Sequence, residues 1–484
     1  MEWDKLLSDK RVRNFFVKPK RREKNNRTEF ERDYDRAIFS TPVRRMHDKT
    51  QVFPLEPNDS VRTRLTHSLE VSTVARDMAR AIGRWLEMKK KLNPEKAEEK
   101  VRAIETITAT CGLIHDLGNP PFGHAGEEAI AEWFKGKNKQ KDFLVFSNTG
   151  NRKKQLKNDF LKFEGNAQTL RLISKLQILS DPYGLNFTCA TMSAACKYLA
   201  PSDRINEEFH ETEKVGYFAS EELIIDLVQN ETGTGEARNP ITFIVEAADD
   251  IVFSVVDLED GVKKGVIDWK SLEDLLKDNC EDNKEILEMC FKKAKRLVTK
   301  DPLVKLKGRS YDEAMAQAFR VWAIGESVHA AIETFKEKYE DIMNGSYHNE
   351  LFKDSDAYSL IKACKNVGKK YVYCAEQNLK KEVMAERIIH DLMDMFWDGV
   401  SKKQDNPTRF EEKIYKLMSE NYRTVFENAQ NPPKFLNKYH AISKKSRGKD
   451  KLPENYCCMQ LVTDYICGMT DTFACTLHKE LTNG

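Results

Sequence analysis

The stretch NPITFIVEAADDIVFSVVDLEDG, residues 239 to 261, is almost wholly apolar, with carboxylates at Glu246, Asp249, Asp250 and Asp257 set into it. Asn239 is suited to cap a helix and Pro240 to its first position, and Gly261 reads as its stop. A helix that is apolar on all sides needs other elements packed around it. Carboxylates inside such a helix cost several kcal/mol each if left unpaired, so a cation, a metal or hydrogen-bond donors must face them.

The chain can supply that surrounding core. It has 484 residues, 40% of them hydrophobic, enough for one or two integrated units and too many for a disordered chain. Only 22 Gly and 15 Pro occur, apolar residues recur at three- and four-residue spacing, and alternating strand patterns are rare and short. These features predict an all-α fold. The 79 Lys and Arg against 77 Asp and Glu leave a net charge of +2, so nucleic acid or acidic lipid must be recruited by a local patch. The richest one is residues 10 to 27, with nine basic residues against one acid and two phenylalanines between them. It reads as a solvated arm first and as a nucleic-acid contact second.

Eleven cysteines without a CxxC pair read as reduced thiols. No run of about 18 apolar residues could span a bilayer, and the first residues lack the apolar stretch of a secretory signal. The expectation is a cytoplasmic protein with no membrane partner. Residues 137 to 159 look like a polar surface insertion, and residues 270 to 484 like further helices with breaks near 343–350, 402–408 and 444–454.

Two more helices matter. Val71, Val74, Ala75, Met78, Ile82 and Trp85 form one apolar stripe after the turn-like EPNDS, with His67 near its start. Val101, Ile104, Ile107, Cys111 and Ile114 form another, stopped by Gly118, Pro120 and Pro121, which puts His115 and Asp116 in its last turn. A histidine, an adjacent His-Asp pair and a later aspartate together offer two imidazole nitrogens and two carboxylate oxygens. That mixed set suits Mn, Fe, Co, Ni or Zn with positions left for water and substrate, and hydrolysis of a phosphate ester or anhydride follows from it. His124, in the turn HDLGNPPFGH, has Glu127 one helical turn on, the usual build of a general base or acid oriented by a carboxylate.

The blocks RTRLTHSLEV, HDLGNPPFGHAGEEA and EAADDIVFSVVDLEDG resemble the three motifs of the HD-domain phosphohydrolases, and specifically the deoxyguanosine triphosphate triphosphohydrolase family. FERDYDRAIFSTPVRRMHDKTQVFP, FEGNAQTLR, YGLNFT, KVGYFASE and DYICGMTDTFA are also similar to that family, so the resemblance runs from about residue 28 to 475. It implies a divalent metal, Mn²⁺ or Mg²⁺ before Co²⁺, Fe²⁺, Ni²⁺ or Zn²⁺, held by His67, His115, Asp116 and Asp249, with Asp249 better aligned than Asp250. His124 and Glu127 would be the catalytic dyad.

Arg64, Lys197 and Lys214 would grip a triphosphate, although the two lysines read equally well as solvated surface residues. Gln51 would face the nucleoside and Asp257 would accept a hydrogen bond from the sugar 3′-hydroxyl. Asp249 and Phe253 share a helix face and Asp257 follows one turn later. Phe253 stands where the family usually has tyrosine, keeping a ring for the deoxyribose and losing its hydroxyl. Asn119 stands where many relatives have histidine and still hydrogen-bonds. Arg423 is a further candidate, in its own or a neighbouring subunit.

The expected organisation is an arm and lead-in over 1–60, an HD-domain core over 61–265 and a helical region over 266–484. The expected activity is metal-dependent hydrolysis of a deoxynucleoside triphosphate, dGTP foremost, to deoxynucleoside and inorganic triphosphate, in a homo-oligomer, a hexamer by resemblance, with single-stranded DNA as a further partner. The alternatives are hydrolysis of another nucleotide, or a non-catalytic nucleotide-sensing or single-stranded nucleic-acid-binding protein.

Overall fold

A computed structural model describes residues 1–18, 26–139, 143–146, 150–177, 182–300, 306–401, 407–430 and 452–482. It is 71% helical and 2% strand, the all-α class expected from the sequence. Two compact units share the chain, one made of 51–112 and 240–381, the other of 1–50, 113–239 and 382–484. This grouping runs across the consecutive segments 1–60, 61–265 and 266–484. A linear reading cannot reach it, because periodicity reports which residues are buried but not which stretch buries them.

In the first unit the Arg64–Met88 helix starts at Thr63, whose hydroxyl and that of Thr66 cap each other's backbone N–H. Its buried stripe includes Val71, Ala75, Met78, Ile82 and Leu86. The Ala97–Ile114 helix lies close against it: a Cβ on Gly112 would stand 2.8 Å from the Cα of Ser72, whose hydroxyl donates to the carbonyl of Ala109. The Pro240–Lys264 helix packs against the Arg64–Met88, Arg309–Glu337 and Tyr358–Val367 helices. It is buried along nearly its whole length, as its composition demands, with Ala248 and Ile251 fully covered. Each large apolar side chain covered in this way contributes roughly 1.5–3 kcal/mol. An Ile251→Asp change would put an unpaired charge at a fully covered point of the core.

Gly261 does not stop this helix. The helix continues to Lys264, and Gly261 instead lets Val372 approach, since a Cβ there would meet Val372 Cγ2 at 3.0 Å; the chain turns at Gly265, with φ +74°.

In the second unit the Ala97–Ile114 helix ends short of the two residues that the sequence puts in its last turn, and His115 and Asp116 sit in the turn that follows. Gly118 explains it: a Cβ there would lie 2.1 Å from the backbone N of Thr169, so the turn is seated on the Gly165–Arg171 helix. The chain then enters the His124–Asn138 helix. Two short parallel strands, Ala200–Pro201 and Val215–Tyr217, are paired here.

Two expectations change in this unit. The head of the basic segment is docked: Val12 N–H donates to Phe187, Cys189 N–H to Lys10, and the Arg11 guanidinium lies on Asp33 (2.8 Å), Glu29 and the Asn186 carbonyl. Asp33 is fully buried and also accepts from Thr188 and Thr191, which is what draws an arginine out of solvent. Residues 19–25 of the segment lie outside the described residues. The 137–159 stretch is not all surface, because the Lys153–Leu161 helix buries Leu156, Asp159 and Phe160; residues 140–142 and 147–149 lie outside the described residues.

Candidate functional site

In the first unit His67 lies one turn into the Arg64–Met88 helix and is 1% exposed. Its Nε2 is 3.1 Å from Oδ1 of Asp249 on the packed Pro240–Lys264 helix. Asp250, one residue on, faces elsewhere and pairs with Lys365 at 2.9 Å. The 100° step between neighbours on a helix thus separates the two aspartates into different environments. Arg64 opens the same helix as His67 and is buried. Phe253 is half-buried, with the Lys365 ammonium 5.3 Å from its ring centre.

Asp257 is 3% exposed and accepts a 2.7 Å hydrogen bond from the Tyr373 hydroxyl; its other oxygen has no partner among the described residues. Burial pushes its carboxyl up to about 8, with Asp260 and Asp249 adding to the shift while Tyr373 and Arg62 oppose it. Gln51 also has a buried oxygen without a partner among the described residues.

In the second unit His115 Nε2 and Asp116 Oδ2 are 3.3 Å apart, both partly exposed. Asn119 donates its side-chain N–H to Asp116 at 2.6 Å, so it does hydrogen-bond beside the His-Asp pair. The turn is tied down along its length. Gly118 N–H donates to Thr169 Oγ1 (2.8 Å), and Thr169 Oγ1 to the His115 carbonyl (3.2 Å). The buried Lys49 ammonium donates to the carbonyls of Asn119 (2.6 Å) and Cys467 (2.7 Å). Asp471 accepts from Phe122 N–H (2.8 Å), Thr50 N–H (3.0 Å) and the Thr50 hydroxyl. The last two turn residues, Phe122 and Gly123, have φ of +65° and +61°.

His124 follows at the start of its helix with its imidazole 87% exposed, and its Nδ1 is 3.3 Å from Glu127 Oε2. Glu127 Oε1 accepts from Gly165 N–H at 2.9 Å. Burial pushes the Glu127 carboxyl up, but the hydrogen bond and charge of His124, with help from Gly165 and Lys214, leave it below the ordinary glutamate value. Lys214 is exposed, 3.7 Å from Glu164 and 5.9 Å from the centre of the Tyr198 ring, over which Lys197 also lies at 5.6 Å. Arg423 belongs to the Glu420–Gln430 helix, its guanidinium 5.5 Å from the Tyr415 ring.

The structure therefore brings His67 to Asp249, His115 to Asp116 and Asn119, His124 to Glu127, and the two lysines to one ring. Imidazole nitrogen beside carboxylate oxygen is the donor chemistry that divalent first-row metals accept, and both His–Asp pairs fit such an ion. Sequence reasoning missed Tyr373, Lys365, Lys49 and Glu164. Glu164 and Asp471 lay inside blocks already singled out, FEGNAQTLR and DYICGMTDTFA, whereas nothing in KKYVYC marks Tyr373.

Residues 64–174 match the HD domain family model, and with the His–Asp pairs in place the chain is an HD-domain hydrolase of phosphoric anhydrides. Its relatives include a deoxyguanosinetriphosphate triphosphohydrolase-like protein of Listeria innocua, 35% identical over 99% of both chains, and one of Synechocystis sp., 31% identical over 99% of both. A deoxyguanosinetriphosphate triphosphohydrolase of Enterobacter sp. is 30% identical over 93% of each chain. The chain belongs to the deoxyguanosinetriphosphate triphosphohydrolase family. Among the described residues no helix is long and apolar enough to cross a membrane.

Proposed function

We propose that this protein hydrolyses deoxynucleoside triphosphates, dGTP foremost, to deoxynucleoside and inorganic triphosphate, with a divalent cation, Mn²⁺ or Mg²⁺, held by His67, His115, Asp116 and Asp249. The observation that carries this reading is the approach of His67 to Asp249 at 3.1 Å, in a member of this family. When bound, the cation supplies Lewis acidity toward a phosphoryl oxygen and water.

The residues of the chain do the rest. Arg64 and the two lysines neutralise the triphosphate. Water attacks the α-phosphorus as its bond to the 5′-oxygen breaks, and His124, oriented by Glu127 at 3.3 Å, gives that oxygen a proton. The open oxygen of Asp257 receives the 3′-hydroxyl, with Tyr373 fixing the carboxyl's orientation. Phe253 packs on the deoxyribose, Gln51 meets the nucleoside, Asn119 steadies Asp116, and Arg423 contributes to phosphate binding. The working form is a cytoplasmic homo-oligomer, a hexamer, that also meets single-stranded DNA.

The test is incubation with each deoxynucleoside triphosphate and Mn²⁺ or Mg²⁺, followed by anion-exchange separation. Tripolyphosphate with deoxyguanosine is the expected product pair, and its absence with every substrate and metal overturns the proposal.

A further inference from the structure

Glu164 is 8% exposed and sits one residue before the glycine whose N–H holds Glu127. Two carboxyl groups therefore flank a single peptide in a largely covered place, and one cation, Lys214, lowers the proton affinity of both. The two carboxylates are anchored. Glu127 has His124 and Gly165, while Glu164 accepts from the Asn166 side chain at 2.8 Å. Lys214 is not: its side chain is 52% exposed and stands 3.7 Å from Glu164, too far for a tight hydrogen bond.

Two carboxylates on either side of one covered peptide do not both stay ionised without compensation. Burial, then Glu127, pushes the Glu164 carboxyl above the ordinary glutamate range, and Lys214 opposes them. The other groups facing the pair are His124, from the same helix as Glu127, and Cys467, whose thiol burial keeps protonated.

We propose that Glu164 exchanges its cation for a proton during the catalytic cycle: a bound triphosphate draws the Lys214 ammonium away, and the Glu164 carboxylate takes up one proton from solvent. The lysine keeps its own protons, so the gain is one proton per Glu164 that was ionised in the free enzyme. Substrate affinity is thereby tied to pH, and Glu164 is a positioning residue that acts through Lys214. The inference rests on Lys214 gripping the triphosphate, as proposed above.

Two measurements test it on the metal-loaded enzyme. One is calorimetric titration with an α,β-non-hydrolysable deoxynucleoside triphosphate in two buffers of different ionisation enthalpy. Wild type takes up a measurable fraction of a proton above the ordinary glutamate range; Glu164→Gln takes up less by that fraction, and Lys214→Ala, in which Glu164 is already protonated, loses it too. The other is KM against pH. Wild-type KM rises by up to about tenfold as Glu164 ionises, one pK unit of coupling, and Glu164→Gln flattens that rise while the kcat profile keeps its limbs.

Proton uptake and a KM profile unchanged in Glu164→Gln overturn this inference alone if wild type binds the analogue. A wild-type enzyme that binds no analogue overturns this and the proposed function together. A merely structural Glu164 would lower the unfolding midpoint and leave proton uptake as it was.

Discussion

Replacing Asp471 by alanine tests whether the turn between the His115–Asp116 pair and His124 is held from outside. Asp471 is 2% exposed and takes two backbone N–H groups, Phe122 at 2.8 Å and Thr50 at 3.0 Å, as well as the Thr50 hydroxyl. Alanine leaves both N–H groups buried without an acceptor, at about 1–3 kcal/mol each, or about 2–6 kcal/mol together if the turn stays in place. Phe122 at φ +65° adds to the pressure to relax, since the left-handed region costs a non-glycine residue about 1–2 kcal/mol. Relaxation moves Asn119 and the start of the His124 helix, and about 1 Å of misplacement at a reacting group costs on the order of 100-fold. The expected result is a folded protein with a lower urea midpoint and kcat reduced by about 10- to 100-fold. Asp471→Asn, which keeps an acceptor, falls between. An alanine variant with wild-type kcat refutes the idea that this carboxylate positions the turn, whatever its midpoint.

Four further outcomes follow from the same geometry. His67→Ala and Asp249→Ala should each lower bound divalent metal, read by elemental analysis after dialysis, and full occupancy in both would remove them from the ligand set. Gly118→Ala places a methyl 2.1 Å from Thr169 N, where only backbone can yield, so kcat/KM should fall with little change in helix content by circular dichroism. Tyr373→Phe removes the donor to the buried Asp257 carboxyl, a hydrogen bond worth about 0.5–1.5 kcal/mol, and should raise KM more than it lowers kcat. Asp159, buried and pushed up to about 7 chiefly by desolvation, stabilises the fold fully below its unfolded value near 3.8, and that contribution is lost as pH rises through 7. Asp159→Asn should therefore flatten the decline in urea midpoint between pH 4 and 8, and an unchanged slope would show that Asp159 does not titrate there.

The three helices that carry His67, the His-Asp turn and Asp249 were legible because burial imposes a 3.6-residue rhythm that survives without any knowledge of partners. Their ends were less so. Gly261 looks like a stop, yet its lack of a side chain serves the packing of Val372, and a sequence cannot tell these two uses of glycine apart. The preference for Asp249 over Asp250 rests on the family resemblance; in the structure the two face His67 and Lys365 respectively. What stayed hidden lies far along the chain from what it touches: Tyr373 is 116 residues from Asp257, and Lys49 is 418 from Cys467. The basic head of the chain misled because charge argues for water until a buried acid such as Asp33 is known to wait for it.

The knot that closes the 118–123 turn takes one strand from residues 49–50 and the other from residues 467–471. On a ribosome the first is made early and must idle while more than four hundred further residues are added. No nascent chain can complete the ties on the 118–123 turn until residues 467–471 have been added.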